Sequence, residues 1–202
     1  MSLALEMRAI TKTFGPTRAL KGVDLAVAAG SVHALLGENG AGKSTLMKIL
    51  SGAYQPDGGT IQLEGRPVDL RSPHAAREAG IAMIYQELNL APHLSVEDNI
   101  MLGREAAGLG WLRRSAQKPR VREALARLGH PDLAPDRIVG ELSVGMQQLV
   151  EIARALVFDA RVIVFDEPTS SLTQADTARL FDVIRRLRDE GRAVIYISHF
   201  LE

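Results

Sequence analysis

The chain contains no cysteine, carries no net charge and is poor in aromatic residues. Without cysteine it forms neither disulfides nor thiolate metal sites, and its five histidines are too scattered for the spacing of a zinc site. The formal net charge of +0 argues against a general nucleic-acid binder, because such proteins usually carry a basic surplus. No apolar run approaches the length of a membrane span. Residues 1–6 have no basic stretch before a long apolar run, so we expect no signal peptide.

The composition, with 46% hydrophobic and 24% charged residues in a chain of 202, is typical of a globular protein with one sizeable core. Apolar runs and turn signals predict alternating strands and helices over most of the chain. Such alternation implies a parallel sheet that binds ligands at the carboxyl ends of its strands. The predicted strands are residues 3–14, 19–27, 32–36 (expected to be buried), 60–63, 81–85, 162–165 and 193–197, and the predicted helices are 43–50 and 175–189.

The middle of the chain, residues 87–158, has a different pattern. Strand-like runs stop, and apolar residues recur with a period near 3.6, as in Val121, Leu125 and Leu128. This pattern predicts a helical insertion. Within it, residues 106–119 are rich in glycine, alanine and arginine and are predicted to form a loop.

A glycine-rich segment follows the predicted strand at 32–36. It matches the phosphate-loop pattern, in which two glycines separated by four residues precede lysine and serine. The glycines let backbone N–H groups turn towards phosphate oxygens, and the next helix adds its positive N-terminal end. Lys43 would reach the β- and γ-phosphates, and the Ser44 hydroxyl would coordinate magnesium. The alternative is a plain glycine-rich turn, which the strand before and the helix after disfavour. The candidate nucleotide-binding residues here are Gly37, Glu38, Asn39, Gly40, Ala41, Gly42, Lys43, Ser44 and Thr45.

The apolar strand at 162–165 ends in two carboxylates, Asp166 and Glu167. Beside a phosphate loop, Asp166 would hold magnesium through water. Glu167 would orient and polarise the attacking water as the general base. The alternative is a strand that ends in solvated acids, which is common where no phosphate loop is present.

Residues 142–148 read Leu-Ser-Val-Gly-Met-Gln-Gln and look like the Leu-Ser-Gly-Gly-Gln signature motif. On this motif and the two preceding ones, the chain resembles the nucleotide-binding subunit of ABC transporters over residues 3–202. Ser143 and the Gly145 backbone would lie at a helix N-terminus, which suits a γ-phosphate. Val144 and Met146 depart from the usual glycine and glutamine. The alternative is that Ser143 is an ordinary N-cap.

The resemblance implies roles for three further residues. Gln86, after the strand at 81–85, matches the glutamine that contacts magnesium and water, and His199 matches the switch histidine that hydrogen-bonds the γ-phosphate. Phe14 matches the aromatic residue that stacks on adenine. As alternatives, Phe14 caps the core and His199 is structural. Residues 170–173, Ser-Ser-Leu-Thr, replace the usual Ser-Ala-Leu-Asp, so the chain lacks the aspartate that makes the usual cross-dimer contact.

The fold implied by the resemblance is the α/β P-loop NTPase fold, with a mostly parallel core sheet, an antiparallel β subdomain and an inserted α-helical subdomain. Residues 1–86 and 158–202 would form the ATP-binding core, and residues 87–157 the helical subdomain that carries the signature motif. Family members continue past the switch histidine with a helix and more strands. We therefore expect the chain to be a single cassette truncated at its C-terminal end.

The mechanism implied by the resemblance uses ATP and Mg²⁺ in a head-to-tail dimer of ATP-binding domains. Each ATP would lie between the phosphate loop of one subunit and the signature motif of the other. Because the γ-phosphate favours the closed dimer, its hydrolysis opens the dimer. The helical subdomain would pass this motion to a membrane partner that docks near residues 86–103.

Four segments together, at residues 85–90, 142–148, 170–173 and 198–201, resemble the ATPases of bacterial monosaccharide importers of the ribose, xylose and galactose type. This implies an ATPase that powers sugar import and binds no nucleic acid. It would lie peripherally on the cytoplasmic face of the inner membrane, with transmembrane permease subunits and a periplasmic solute-binding protein as partners. Two alternatives stay open. A soluble ABC ATPase of DNA repair or translation is disfavoured by neutral charge and the lack of a coiled-coil insertion, and a binding-only nucleotide module is disfavoured by Glu167.

Overall fold

The computed structural model describes residues 2–38, 40–85, 87–105, 107–108, 111–112, 114–169 and 172–198. These residues form two compact units. The first takes in Met1–Met83, Ala160–Glu167 and the described part of Leu187–Glu202, and the second takes in Ile84–Asp159 and Pro168–Arg186. The division of the chain expected from the sequence stays a prediction.

Strands and helices follow each other in the order expected for an α/β chain. In chain order they are β1 (Leu3–Phe14), β2 (Thr17–Ala28), β3 (Val32–Leu36), α1 (Lys43–Leu50), β4 (Gly58–Leu63), β5 (Arg66–Pro67), α2 (Pro73–Glu78), β6 (Ile81–Ile84), α3 (Val96–Met101), β7 (Ala107–Gly108), β8 (Trp111–Leu112), α4 (Arg114–Arg127), α5 (Val144–Val157), β9 (Val162–Asp166), α6 (Gln174–Asp189) and β10 (Ala193–Ser198).

An antiparallel sheet occupies the beginning of the first unit, with the strand order β2-β1-β4-β5. β1 and β2 form a hairpin in which Phe14 lies opposite Thr17, so the turn consists of Gly15 and Pro16. Gly15 has a φ of +53°, a left-handed conformation that glycine adopts without strain. The hairpin therefore places Phe14 at the very end of β1, beside a tight turn.

The second sheet of this unit has the order β3-β10-β9-β6. β3 and β9 both run parallel to β10, as the alternation of strands and helices predicted. In β9 every residue from Val162 to Phe165 is buried, which is typical of an inner strand covered on both faces. The prediction that β3 is buried is wrong. β3 lies at the edge of the sheet, where Val32 is 43% and Leu36 41% exposed.

Helix α1 begins at Lys43 and ends at Leu50, as predicted. Its apolar residues share one core cluster with alternate residues of the strands, because side chains on every second strand position point to the same face. Burial of these side chains fixes the start of α1 directly after the glycine-rich segment. The cluster includes Leu5, Met7, Ile10, Leu46, Met47, Ile49, Leu50, Val162, Val164, Ile195 and Ile197.

The second unit is mostly helical, with α3, α4 and α5 packed on one another. The residues that carry the 3.6 period here are all buried: Val121 and Leu125 in α4, and Leu128 directly after it. The loop expected at 106–119 is wrong where the chain is described there: the short strands β7 and β8 pair antiparallel, and α4 begins at Arg114. Among the described residues, no helix combines the length and the apolar character needed to cross a membrane.

Candidate functional site

The glycine-rich segment ends at the N-terminus of α1. Gly42 is the N-cap and has a φ of +90°. A Cβ at this position would lie 2.8 Å from Leu20 Cδ2 and 3.0 Å from the Ala19 carbonyl oxygen, so only glycine fits. Within the described chain no side chain caps this helix, and its first turn contains no acidic residue. The free N–H groups and the helix dipole therefore suit an anion.

Lys43, the first residue of α1, is 8% exposed, and its side chain folds back over the glycine-rich segment. The Nζ atom donates hydrogen bonds to the carbonyl oxygens of Gly37 and Glu38, the latter at 3.0 Å. The ammonium group is thereby held over the approach to the helix N-terminus. The adjacent residue, Ser44, is exposed in the first turn of α1. Asn39 lies outside the described residues.

The carboxyl end of β9 presents Asp166 and Glu167, both partly buried. Glu167 has a φ of +50°, a left-handed conformation that costs a non-glycine residue about 1–3 kcal/mol. Its N–H donates a 3.2 Å hydrogen bond to the carbonyl oxygen of Ile197 in β10. The sheet thus holds the backbone of Glu167 in a conformation that the residue alone would not favour, which is typical of functional positions.

These side chains fit a nucleotide with Mg²⁺. The uncapped helix N-terminus and the Lys43 ammonium match the charge of a polyphosphate. Ser44 and Asp166 offer a hydroxyl and a carboxylate, the oxygen ligands that Mg²⁺ takes together with substrate phosphates. In the part of the chain that the structure describes, no group of three or more histidine, aspartate and glutamate side chains forms a metal site from protein atoms alone.

An aromatic pair lies at the end of the β1–β2 hairpin. Phe14 is 41% exposed, and its ring meets the ring of Tyr54 edge to face, with centroids 5.3 Å apart at 64°. The Nζ atom of Lys12 lies 5.6 Å from the Phe14 ring centre, and that of Lys48 lies 5.4 Å from the Tyr54 ring centre. Such an exposed, supported ring suits the stacking of a planar base.

Asp57 fastens the end of β1 next to this pair. Its carboxylate accepts hydrogen bonds from Lys12 Nζ at 2.8 Å and from the Thr13 N–H at 2.7 Å. Its own N–H donates to the Thr11 carbonyl oxygen at 2.8 Å. The hydrogen bond from Lys12 holds the pKa of Asp57 below its usual value, so the carboxylate stays charged to a lower pH than an ordinary aspartate does.

The signature-like motif forms the start of α5 in the second unit. Ser143 is its N-cap, and the Oγ atom accepts a 3.4 Å hydrogen bond from the Met146 N–H. Gly145 packs against α6: a Cβ on Gly145 would lie 2.8 Å from the Asp176 Cγ. The Gln147 and Gln148 side chains donate to the carbonyl oxygens of Leu142 and Pro168. The side-chain amides of Gln147 and Gln148 thus hold the motif in place, and α6 packs closely on Gly145 because glycine has no side chain.

Thr173 stands where the usual loop has aspartate, and it caps α6. Its hydroxyl donates a 2.7 Å hydrogen bond to the Asp176 carboxylate and accepts one of 3.2 Å from the Asp176 N–H. The Thr173 hydroxyl thus satisfies one backbone N–H at the start of α6, and the Asp176 carboxylate holds that hydroxyl in place.

Side chains of α3 and α5 hold the segment from Asn89 to Ala91 in the second unit. Glu151 of α5 accepts a 2.7 Å hydrogen bond from the Asn89 N–H, and Arg154 donates 3.1 Å to the Asn89 carbonyl oxygen. Asn99 of α3 accepts 2.8 Å from the Ala91 N–H and donates 3.0 Å to the Ala91 carbonyl oxygen. Side chains thus supply the hydrogen bonds to the backbone of this segment that a neighbouring strand supplies in a sheet.

Comparison with known families shows a match between residues 20–170 and the family described as ABC transporter. That match covers more than half of the chain. The chain belongs to the ABC transporter family.

Several relatives in this ABC transporter family are named ribose import ATP-binding protein RbsA. That of Chromobacterium violaceum is 50% identical over 200 residues, which are 99% of this chain and 40% of the relative. RbsA 2 of Burkholderia pseudomallei is 57% identical over 200 residues, covering 96% of this chain and 38% of the relative. The chain thus spans about two fifths of the length of these curated relatives.

Solved ATP-binding cassettes of ABC transporters share the fold. One, determined in its ADP conformation, is 28% identical and covers 100% of this chain and 83% of its own, with a TM-score of 0.86. Another, cbiO1 from Clostridium perfringens, described as part of the ABC transporter complex cbiONQ, is 29% identical with a TM-score of 0.83 and covers 99% and 80%. The predicted fold class, an α/β P-loop NTPase, is confirmed.

The structure brings together only part of the residue set predicted for an ABC cassette. The phosphate loop from Gly37 to Thr45, Phe14, Asp166 and Glu167 belong to the first unit, and Ser143 and Gly145 to the second. Gln86 and His199 lie outside the described residues. Their assigned roles stay predictions.

Sequence reasoning about this ABC cassette missed Tyr54, Glu151 and Asn99. Asn99 carried a signal, because it is a polar residue three positions after Val96, where the helical period expects an apolar one. Glu151 carried none, because the apolar period of its helix falls on Leu149 and Ile152. Glu151 and Asn99 are both buried, at 2% and 0% exposure. Tyr54 had no such signal, since only the fold brings it to Phe14.

Proposed function

We propose that the chain is the ATP-binding and ATP-hydrolysing cassette of an ABC importer that powers sugar uptake. The observation that carries the proposal is the glycine-rich segment leading into the uncapped N-terminus of α1, with Lys43 held over it. The printed names of the relatives, ribose import ATP-binding proteins, favour a monosaccharide as the transported solute. The test is sugar-stimulated ATP turnover in the transporter assembled with its permease and solute-binding protein.

Nucleotide binding, in this proposal, uses the first unit. The backbone N–H groups of residues 37–45 and the Lys43 ammonium bind the β- and γ-phosphates. Phe14 stacks on the adenine. Ser44, Asp166 and Gln86 would hold Mg²⁺, which supplies charge neutralisation at the phosphates when bound.

Hydrolysis, in this proposal, depends on Glu167 as the general base. Its carboxylate accepts the proton of the attacking water and orients that water towards the γ-phosphorus. His199 would hydrogen-bond the γ-phosphate. The strained backbone of Glu167, fixed by its bond to β10, supports this role because it presets the direction of the carboxylate.

The proposed working form is a head-to-tail dimer of cassettes. The Ser143 hydroxyl and the Gly145 backbone of one subunit would bind the γ-phosphate held by the phosphate loop of the other. The γ-phosphate is then the contact that distinguishes the closed dimer from the open one. Transmembrane permease subunits would dock on residues 86–103, and the cassette would lie peripherally on the cytoplasmic face of the inner membrane.

A substitution at Ser143 tests the contribution in trans without removing the helix cap. Aspartate caps helices about as well as serine does, but its charge repels a γ-phosphate. Ser143→Asp should retain ATP binding by the single cassette and lower dimer-dependent hydrolysis by about tenfold or more, as expected when a charged contact is lost. The measurements are calorimetric ATP affinity and turnover in the assembled transporter.

The control for this test is Ser143→Ala, which removes both the cap and the phosphate contact without adding a charge. Both variants should bind ATP normally as single cassettes, with Ser143→Asp the less active in the dimer. If ATP affinity of the single cassette instead falls in both, Ser143 acts as a determinant of folding and the trans role is wrong.

The base-binding role of Phe14 is tested by comparing ATP with inorganic tripolyphosphate, which has no base. Phe14→Ala should weaken ATP binding about tenfold, because stacking of a base on an aromatic ring contributes about 1–3 kcal/mol. Tripolyphosphate affinity should stay the same. Phe181→Ala, at a similarly exposed phenylalanine on α6, is the matched control and should change neither affinity. Equal weakening for both ligands would assign Phe14 to the fold and not to the base.

A further inference from the structure

We propose that Glu151 and Arg154 are positioning residues that fasten the segment 89–91 to α5, so that the segment moves together with the helix that begins at the signature motif. This inference rests on the proposed function, in which Ser143 senses the nucleotide and residues 86–103 meet the permease. The geometry itself lies within the second unit and stands on described residues alone.

The first argument is that both backbone polar groups of Asn89 have a side-chain hydrogen-bond partner. Asn89 has its N–H bound by Glu151 at 2.7 Å and its carbonyl oxygen bound by Arg154 at 3.1 Å. Glu151 and Arg154 are one turn apart on α5 and also contact each other at 3.4 Å. Two side chains of one helix therefore hydrogen-bond both polar backbone groups of a residue more than sixty positions away in the chain, and we call this pair of hydrogen bonds the grip. Such a grip fixes the position of Asn89 in two directions.

The second argument is that the adjacent turn is held in the same manner from another helix. Asn99 binds both backbone groups of Ala91 and also donates to the carbonyl oxygen of Ser95 at 3.0 Å. Its side chain is fully buried. Since α3 and α5 pack on each other, residues 89–91 are tied to two helices of one unit. The segment has a preset shape without belonging to a strand or helix.

The third argument is that burial of Glu151 lowers the stability of the fold. It is 2% exposed, and its Oε2 atom has no hydrogen-bond partner among the described residues. Burial raises the pKa of the Glu151 carboxyl above its ordinary value of 4.5. As the pH rises above 4.5, the carboxyl ionises in the unfolded chain first, so the free energy of unfolding falls. An apolar residue at this inward-facing helix position would avoid that penalty. A buried acid that is costly to stability and grips a loop is best explained by the position it gives to that loop.

The consequence is a short mechanical path. Ser143 caps α5, and Glu151 lies about two turns further along the same helix. A displacement of the capped end, such as the docking of Ser143 against a nucleotide, therefore reaches Asn89 through one rigid helix and two hydrogen-bonded side chains. Without the grip, this direct path from α5 to Asn89 is lost.

Hydrogen exchange at single amides tests the grip directly. In Glu151→Ala the Asn89 amide should exchange about 10- to 100-fold faster, because a hydrogen bond to a charged acceptor is lost. The Ala91 amide, held by Asn99, should change much less. Asn99→Ala should do the reverse. This crossed result separates the loss of one hydrogen bond from a general destabilisation of the unit, which would speed up hydrogen exchange at both amides.

Three companion variants keep the test decisive. Glu151→Gln retains an oxygen acceptor and should keep most of the protection of Asn89. Asn89→Ala leaves both backbone groups in place and should behave as the unaltered chain once intrinsic exchange rates are corrected. Arg154→Met removes the donor to the Asn89 carbonyl oxygen and the contact with Glu151 but leaves the Glu151 acceptor in place, so it tests the grip even if Glu151→Ala fails to fold.

The positioning role needs a second readout, which is the stimulation of ATP turnover by the permease. In the assembled transporter, Glu151→Ala should lower the stimulated turnover at least about fivefold, the lower range for a coupling between two sites. The KM for ATP and the basal turnover should stay unchanged, and Glu151→Gln should restore most of the stimulation. A merely structural role would not spare the basal turnover while removing the stimulation.

Two outcomes overturn the inference. Unchanged protection of the Asn89 amide in Glu151→Ala and Arg154→Met would show that the grip does not exist in solution. Loss of protection with full permease stimulation would show that the grip positions nothing of importance for coupling. If the unaltered transporter hydrolyses no ATP, the proposed function fails, and the exchange experiment still decides whether the grip is present.

Discussion

Glu167→Gln should slow ATP hydrolysis by about 10²- to 10⁴-fold, the usual contribution of a general base. Glutamine keeps the size of the side chain and its hydrogen-bonding reach, but it does not accept the proton of the attacking water. ATP affinity should therefore be retained, and the closed dimer should persist because its γ-phosphate is not removed. The measurements are single-turnover hydrolysis, calorimetric ATP affinity and the oligomeric state in ATP, each made on the assembled transporter.

Glu64→Gln is a matched control for this variant. Glu64 is the same residue type with the same φ of +50°, and it lies exposed in the turn after β4, where it pairs with Arg161. Its substitution makes the same chemical change in the same backbone conformation, away from the carboxyl end of β9. It should leave turnover unchanged. Near-normal turnover in Glu167→Gln would remove Glu167 from the role of base.

Lys43→Ala should weaken both ATP binding and turnover, with affinity falling at least about tenfold, as expected for loss of a charge-assisted contact. Lys43 is the cation of the phosphate loop and is held over the loop by the Gly37 and Glu38 carbonyl oxygens. Its removal therefore takes away a charge that is already in place before the nucleotide arrives. Titration calorimetry with ATP and steady-state turnover measure the two effects.

Lys21→Ala, at an exposed lysine of β2, is the control for a general loss of positive charge and should bind ATP normally. Lys43→Arg separates charge from shape, since it keeps the charge but has a wider, planar head group. It should recover part of the affinity. An ATP affinity that Lys43→Ala leaves unchanged would contradict the phosphate cradle.

Much of the fold was predictable because each element carries its own periodic signal. α1 begins and ends at the predicted residues, and β9 and β10 extend the predicted runs by one residue each. The errors arose where local signals do not report the environment. β3 is as apolar as an inner strand but lies at an edge of its sheet, which depends on strand order. The start of α4 was missed because its first turn contains few apolar residues.

The phosphate loop of the candidate site has a local signal in the sequence, whereas the residues that support the site have none. The spacing of the glycines with Lys43 defines the phosphate loop, since backbone geometry there is local. The pairing of Phe14 with Tyr54 and the grip of Glu151 on Asn89 join residues forty or more positions apart, and no local pattern encodes such a pair. The left-handed backbone of Glu167 was equally hidden, because glutamate gives no signal of that conformation.

The contact between Gly145 and Asp176 restricts how this family can vary in sequence. Because a Cβ on Gly145 would come within 2.8 Å of the Asp176 carboxyl carbon, the two positions compete for the same volume. A larger residue at 145 requires a smaller one at 176, and a change at 176 in turn removes the carboxylate that accepts the hydrogen bond of the Thr173 hydroxyl. Among homologous sequences, positions 145, 173 and 176 should therefore change together and seldom alone.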